Sequence, residues 1–208
     1  MKGLIIKEFL GMRRYFRILA VLMVLYIFMA FGMASTSIFS GVNAILVMIC
    51  ALSSFNYDSY NHWDEFAMTL PLSRADLVKS KYLFILLLCA FGTVITLALS
   101  LVIGQMIHVS IEEILIGTLC SALVALFLGA LATPIIYKFG VEKARYVLMI
   151  VVLIPTLIFI NFSSYLPALR PLSAQTLTLL AWCSPVFVLA FGLLSYVISR
   201  RIFMNKDL

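Results

Sequence analysis

Side chains that could carry out catalysis are few and scattered in this 208-residue sequence. Glu112 and Glu113 form an adjacent acidic pair of the kind that can serve a metalloprotease. No third ligand set accompanies them, and the only histidines are His62 and His108. The sequence has no G-x-x-x-x-G-K-[ST] phosphate loop, no G-x-S-x-G elbow and no H-E-x-x-H helix. We therefore expect a solvated outer loop at the acidic pair and no enzymatic activity on this chain alone.

The cysteines show no pattern typical of a functional site either. Each lies within an apolar run, with no C-x-x-C spacing and no nearby histidine. That pattern predicts small buried hydrophobes and not a disulfide framework or a metal site. The residues concerned are Cys50, Cys89, Cys120 and Cys183.

The composition of the chain points to lipid as its solvent. Hydrophobic residues make up 64% of the sequence and charged residues 12%, and the mean hydropathy is +1.14. Soluble domains carry roughly 25% charged residues, and a chain this apolar has too little polar surface to cover a water-soluble globule. The composition therefore predicts an integral membrane protein.

The long apolar runs predict six transmembrane helices. Residues 18–57 carry no formal charge. One helix of that length would extend about 60 Å, twice the ~30 Å hydrocarbon thickness, so we place a turn around Gly32–Gly41. A broken segment containing Pro167 and Pro171 separates the last two spans. The prediction is one all-α domain over residues 1–208, with spans at about 18–34, 39–56, 82–107, 114–137, 145–162 and 176–199.

Residues 1–17 have the pattern of an amphipathic helix that lies at the membrane surface. Apolar side chains form one stripe on the helical wheel, and the cations point elsewhere. The alternative is a simple basic flank before the first span. The apolar stripe consists of Ile5, Phe9, Met12 and Phe16, and the basic residues expected at the membrane interface are Lys7, Arg13, Arg14 and Arg17.

The distribution of basic residues predicts the orientation. With both termini in the cytoplasm, 14 of the 15 Lys and Arg residues lie on the cytoplasmic side and only Arg170 lies outside. This is the bias described by the positive-inside rule, and it also accounts for the basic pI. Nucleic acid is therefore not needed as a partner to explain the charge. We expect a multi-pass membrane protein with both termini in the cytoplasm.

The interior of the predicted spans lacks ionisable side chains. Such groups commonly serve carriers driven by protons or sodium, so their absence counts against an ion-coupled carrier. One span carries small residues four apart, which predicts close packing of helices, either within the bundle or between two copies of the chain. These residues are Gly117, Ser121, Ala125, Gly129 and Thr133.

The long polar segment of the chain is Asn56–Lys81, which follows the second span. Before Pro71 the sequence predicts a short helix, and after it Ser73 and Asp76 fit a capping box that starts a helix continuing into the third span. An ordinary polar loop is the alternative. The short helix is predicted to present Trp63, Phe66, Ala67 and Leu70 on one face.

The run D-E-F-A-M-T-L-P-L-S-R-A-D-L-V-K-S-K-Y-L, Asp64 to Leu83, resembles the segment after the second span in ABC-2 family permeases of ABC transporters. There an acidic, aromatic-bearing helix precedes L-P-[VL]-S-R and a V-x-S-K-Y-type entry into the third helix. The layout of an amphipathic N-terminal helix, six spans and a cytoplasmic coupling helix between spans two and three is similar as well. The match covers about 20 residues; the remaining agreement is architectural.

The resemblance implies a transport subunit that works with two cytoplasmic ABC ATPase subunits and a second permease chain, identical or related. ATP and Mg²⁺ would be bound by the ATPase, with no cofactor on this chain. Small bacterial members of the family are associated with export of, or immunity to, amphipathic or antimicrobial peptides, which are the expected cargo. The resemblance therefore also implies the plasma membrane of a bacterium as the location. By the same resemblance, residues 57–81 form the cytoplasmic coupling segment. Its expected ATPase contacts are Trp63, Asp64, Glu65, Phe66, Met68 and Leu70, and its expected joint is Pro71, Ser73 and Arg74.

Two further interpretations stay open. An ATP-independent channel or carrier would need a water-lined polar stripe, and the chain could also be a membrane anchor that transports nothing. An intramembrane enzyme lacks the catalytic groups. The polar residues available for a stripe are Asn43, Thr93, Thr96, Ser100, Gln105 and Asn161.

Overall fold

The computed structural model describes residues 2–33, 37–71, 73–163 and 174–205. Within these ranges the chain is all helical, and no strand is present. The turn expected around Gly32–Gly41 lies partly outside the described residues, as does nearly all of the expected broken segment, with Pro167, Arg170 and Pro171. The helices are α1 (Lys2–Gly11), α2 (Arg13–Met33), α3 (Ser37–Tyr60), α4 (Trp63–Met68), α5 (Arg74–Ile107), α6 (Ile111–Ser163) and α7 (Ala174–Met204).

Five helical segments in the described ranges are long and apolar enough to cross a membrane. The fourth of them merges the predicted spans 114–137 and 145–162, because α6 continues through both. The five segments are Tyr15–Gly32, Gly41–Tyr60, Arg74–Ile107, Ile111–Ile154 and Cys183–Met204.

Gly140 interrupts the regular backbone of α6. Its φ of 77° and ψ of 167° are not helical, and nothing lies within 4 Å of where a Cβ would be built. Glycine is therefore required there by the backbone conformation and not by close packing. Without this interruption the 53 residues of α6 would form a helix about 80 Å long, well over twice the ~30 Å hydrocarbon thickness.

The N-terminal helix is shorter than the predicted 1–17. It ends at Gly11, Met12 is almost fully buried, and α2 begins at Arg13 and runs on into the first span. Arg13 and Arg17 are therefore exposed residues at the start of α2, and nothing separates them from the apolar part of that helix. The basic residues precede the apolar run on one continuous helix.

The core lies around α3, which packs against α5 and α6. Phe55 of α3 shares a cluster with residues from both sides of Gly140, including Ala132 and Leu148. A second cluster joins Val47 of α3 to Cys89 of α5, together with Ala44 and Ala125. Among the cysteines Cys50 is buried with Cys89, whereas Cys120 and Cys183 are exposed, so the expectation of burial is right for two of the four.

The small-residue series on α6 packs inside this chain. Ser121, Ala125 and Thr133 are all buried, and Ser121 accepts a hydrogen bond from Asn43 Nδ2 at 3.4 Å. A Cβ on Gly129 would meet Ile85 Cγ2 at 2.6 Å. The series therefore provides close helix packing within the bundle, the first of the two alternatives that its spacing allowed.

A hydrogen-bond network holds α7 against the other helices. The Tyr82 hydroxyl lies 2.7 Å from Ser195 Oγ and 2.8 Å from Ser199 Oγ. Ser195 in turn donates to the backbone carbonyl of Ala130 on α6. Such bonds between helices are worth about 0.6 kcal/mol each in lipid, so the network fixes orientation more than it adds stability.

Candidate coupling site

The short helix α4 is attached to the bundle by one face. Ala67 is fully buried in a cluster with Leu4, Val78 and Phe203, which belong to α1, α5 and α7. Trp63 lies one turn before Ala67 and packs against the same cluster. A six-residue helix is too short to be stable alone, so this contact with three other helices holds it in place.

The side of α4 away from Ala67, together with the residues just after the helix, is exposed and mostly apolar. Phe66 keeps 55% of its surface exposed, and Met68 and Leu70 each keep 37%. The Glu65 carboxylate beside them is also exposed and lies 3.3 Å from His62 Nδ1. Four of the six residues expected to contact an ATPase are thus exposed, and we call these four the outward patch.

The structure divides the predicted face of the short helix. The sequence pattern put Phe66 and Leu70 on the same face as Ala67, whereas the structure buries Ala67 and leaves the other two outside. Consecutive residues on a helix differ by about 100° in direction, so Phe66 points away once Ala67 is buried. Leu70 lies beyond the end of α4 at Met68, so it does not follow the helical face at all. Trp63, also expected at the ATPase contact, packs on the bundle side, and Asp64 is half-buried.

The predicted capping box at the start of α5 is confirmed. Ser73 Oγ accepts a hydrogen bond from the Asp76 amide at 3.1 Å, and the Asp76 carboxylate accepts one from the Ser73 amide at 3.4 Å. The helix that starts there continues without interruption to Ile107, as predicted. Pro71 is exposed just before it. The joint between α4 and the third span is therefore short and has a fixed helix start.

Arg74 connects this joint to the last turn of α7. Its Nη1 donates to the carbonyl oxygens of Phe203 at 3.3 Å and Met204 at 3.0 Å. The last carbonyls of a helix lack partners within the helix and carry partial negative charge, so a guanidinium suits them. A displacement of the joint would therefore act on both α5 and α7.

A buried group of charges lies behind α4, which we call the ionic cluster: Lys7 and Glu8 of α1, Ser54 and Asp58 of α3, and Lys81 of α5. Lys81 Nζ lies 2.8 Å from Glu8 Oε1, 2.5 Å from Asp58 Oδ2 and 2.7 Å from Ser54 Oγ. Lys7 pairs with Asp58 and, at 3.1 Å, with Glu8. Ser54 donates to Glu8 Oε2. Two cations and two carboxylates balance, so the cluster has no net formal charge.

The ionic cluster also reaches the short helix. Lys7 Nζ lies 4.3 Å from the centroid of the Trp63 ring, a cation–π contact between α1 and α4. Asp58 Oδ2 accepts no well-directed hydrogen bond, so its 2.5 Å approach to Lys81 is electrostatic. Lys7, expected among membrane-interface cations, is thus placed in the cluster, apart from the exposed Arg13 and Arg17. The side chain of Arg14 lies outside the described part of the structure.

The ionic environment determines the protonation of Glu8. Burial raises the pKa of Glu8, but the cations of Lys81 and Lys7 and the hydrogen bonds from Lys81 and Ser54 outweigh it, so the pKa lies below the ordinary value. The carboxylate is therefore ionised at neutral pH. Sequence reasoning missed Glu8, although a single acid within a basic N-terminal helix was a usable signal.

These features agree with the family to which the chain belongs. The model of the family described as "ABC-2 family transporter protein" matches residues 3–204, so the chain is a member of that family. Membership implies a multi-pass membrane protein that is the permease of an ABC transporter, a transport subunit whose ATPase is a separate component. No curated protein and no solved structure matches the chain.

Proposed function

We propose that this chain is the permease subunit of an ATP-driven exporter and that its ATPase binds the outward patch of α4. The observation that carries the proposal is the exposed aromatic ring of Phe66 beside the exposed Glu65, on a helix attached to the bundle through the buried Ala67. Aromatic residues and methionine are enriched in protein interfaces, and charged residues lie mostly in the polar rim around them. Permeases of this family generally work with ABC ATPases, which gives the patch a partner.

The contacts of α4 supply a route by which movement of the ATPase would reach the membrane. The buried Ala67 couples α4 to α1, α5 and α7, the Ser73 cap begins α5, and Arg74 ties the joint to the end of α7. In this proposal, closure of two ATPase subunits around ATP and Mg²⁺ moves α4 and the helices packed on it. The bundle then changes the side to which it opens.

The proposal includes six crossings, with α6 crossing twice and turning at Gly140. Both termini then lie in the cytoplasm of a bacterial cell, with the basic residues inside. Two permease chains and two ATPases make the working complex. The cargo is an amphipathic or hydrophobic molecule, with antimicrobial peptides as the first class to examine. Membership in the ABC-2 family and the expected absence of ion-coupling groups in the spans support this source of energy.

The test is co-purification of the tagged protein from its native membrane in mild detergent. The variant Glu65→Ala/Phe66→Ala should lose a Walker-type ATPase that the unchanged protein retains. Phe139→Ala/Glu142→Ala is the matched control, because it removes the same two residue types from exposed positions at the Gly140 bend. Equal recovery of the ATPase with both variants, or no ATPase with the unchanged protein, would refute the assignment of the patch.

A further inference from the structure

An apolar cavity of about 770 Å³ lies between α1, α2, α3 and α5. Phe9 and Phe16 line one end, and the lining continues along α2 to Ile27 and along α5 from Leu87 to Leu99. At ~1.5 Å per helical residue these stretches extend roughly 16 Å on α2 and roughly 18 Å on α5. The length is close to half of the ~30 Å hydrocarbon thickness, the depth that a lipid chain of one leaflet occupies.

The cavity exists because α2 meets the bundle chiefly at its two ends. At one end Phe16, with Met12 just before the helix, packs on Cys50 and Phe84. At the other Ala30, fully buried, packs against Ile103. Little of the segment between these contacts is buried inside the chain. The middle of α2 thus stands away from α3 and α5 along the length of the cavity.

The lining of the cavity is almost entirely apolar, so it favours a hydrocarbon occupant. Asn43 is the polar side chain among the lining residues, and its Nδ2 donates to Ser121. Water needs two to four polar partners to occupy a cavity, whereas an apolar ligand needs none. A volume in this range is typical of sites that bind small molecules.

Basic residues at one end of the cavity indicate the headgroup of the ligand. Arg13 and Arg17 are exposed and lie within one helical turn of Phe16, at the end of the cavity where α2 begins. Guanidinium groups bind phosphate oxygens well, and basic residues at a membrane surface attract anionic lipids. We propose that the cavity binds one acyl chain of an anionic bilayer phospholipid, whose phosphate lies at Arg13 and Arg17.

Photolabelling of the full-length protein in proteoliposomes tests the proposal. The probe is phosphatidylglycerol with a diazirine in one acyl chain, and the adducts are mapped by peptide mass spectrometry. We expect adducts on Val47 and Cys50, which line the cavity and are only 4% and 3% exposed. Adducts confined to outward residues such as Val94 would overturn the proposal.

Two variants sharpen the result. Ala20→Phe places a ring in the cavity and should lower labelling of Val47 and Cys50 about tenfold, because the ring takes the volume that the chain needs. Ala98→Phe adds the same ring at an exposed position outside the lining and should leave labelling unchanged. Equal labelling in both variants would contradict an acyl-chain site, and mapping of the unchanged protein stays decisive if Ala20→Phe does not fold.

The headgroup is tested separately. Phosphatidylcholine with the same diazirine chain should label Val47 and Cys50 less than phosphatidylglycerol does, and Arg13→Gln/Arg17→Gln should abolish that preference. Equal labelling by the two lipids in the unchanged protein would show that the site does not prefer an anionic headgroup. The assay needs no ATPase, so its outcome is independent of the proposed coupling role.

Discussion

Lys81 of α5 places its ammonium nitrogen 2.8 Å from the Glu8 carboxylate of α1, and both side chains are more than nine-tenths buried. The two helices are far apart in sequence, and Asp58 of α3 completes the contact. Removing charges from water is costly, and the cost is recovered only when every member is paired. The ionic cluster therefore joins α1, α3 and α5 behind α4.

Replacing Lys81 should destabilise the protein severely. Lys81→Met leaves the Glu8 and Asp58 carboxylates with Lys7 as their remaining cation, and removal of one partner of a buried pair typically costs about 3–5 kcal/mol. Thermal unfolding in detergent measures the effect. Lys79→Met removes an exposed lysine from the same helix and should change little. Similar midpoints for the two variants would show that the cluster does not stabilise the fold.

The lowered pKa of Glu8 predicts a loss of stability in acid. A carboxyl group whose pKa is lower in the folded state stabilises the fold fully above its unfolded value, about 4.5, and this contribution disappears as pH falls through the folded pKa. Glu8→Gln should be less stable at neutral pH but should lose less stability on acidification.

The measurement for Glu8 is the thermal midpoint at several pH values on both sides of 4.5. Other carboxylates still protonate in the variant, so the difference between the two curves isolates Glu8. Glu142→Gln changes an exposed carboxylate and should follow the unchanged protein. If the thermal midpoint of Glu8→Gln instead changes with pH in parallel with that of the unchanged protein, the pKa of Glu8 is not lowered in the folded state.

Arg74→Lys should uncouple the permease from its ATPase without releasing it. Lysine keeps the charge but lacks the planar fork, so the two bonds to the Phe203 and Met204 carbonyls cannot be reproduced. We expect a stability loss of about 1 kcal/mol and reduced cargo-stimulated ATP hydrolysis, with the ATPase still co-purifying. The comparison is Arg200→Lys, an exposed arginine on α7. If ATP turnover in Arg74→Lys is unchanged, Arg74 does not take part in coupling the permease to the ATPase.

The local parts of this architecture could be predicted from sequence because local rules determine them. The capping box depends on Ser73 and Asp76, three residues apart, and the apolar runs alone mark membrane segments. The ionic cluster joins Lys7 to Asp58, 51 positions away, and no local pattern pairs such residues. The outward direction of Phe66 likewise depends on which face of α4 meets α1 and α7, and tertiary packing determines that face.

The small-residue series shows how the structure separates two interpretations of one pattern. Its spacing fits a contact between copies as well as one within the bundle, because both need backbones to approach closely. Only the position of α6 decides, and it places Ser121 against Asn43 and Gly129 against Ile85 of the same chain. The series is therefore used for packing within the chain.

Gly129→Ala should destabilise the protein although alanine is the better helix former. The new methyl would lie 2.6 Å from Ile85 Cγ2, and a β-branched side chain has little freedom to move aside. Overpacking of this kind typically costs about 1–3 kcal/mol, more than the roughly 0.5–1 kcal/mol that alanine gains over glycine in a helix. The midpoint of thermal unfolding in detergent should therefore fall.

Gly192→Ala is the matched control, because nothing lies within 4 Å of its added Cβ, and it should be neutral or slightly stabilising. Ile85→Ala supplies the second arm, since it removes the methyl that clashes. Combined with Gly129→Ala it should destabilise less than the sum of the two single changes, because the new methyl then occupies space that the isoleucine vacated. Additive effects would show that Gly129 and Ile85 are not in contact and that the α5–α6 packing described above is incorrect.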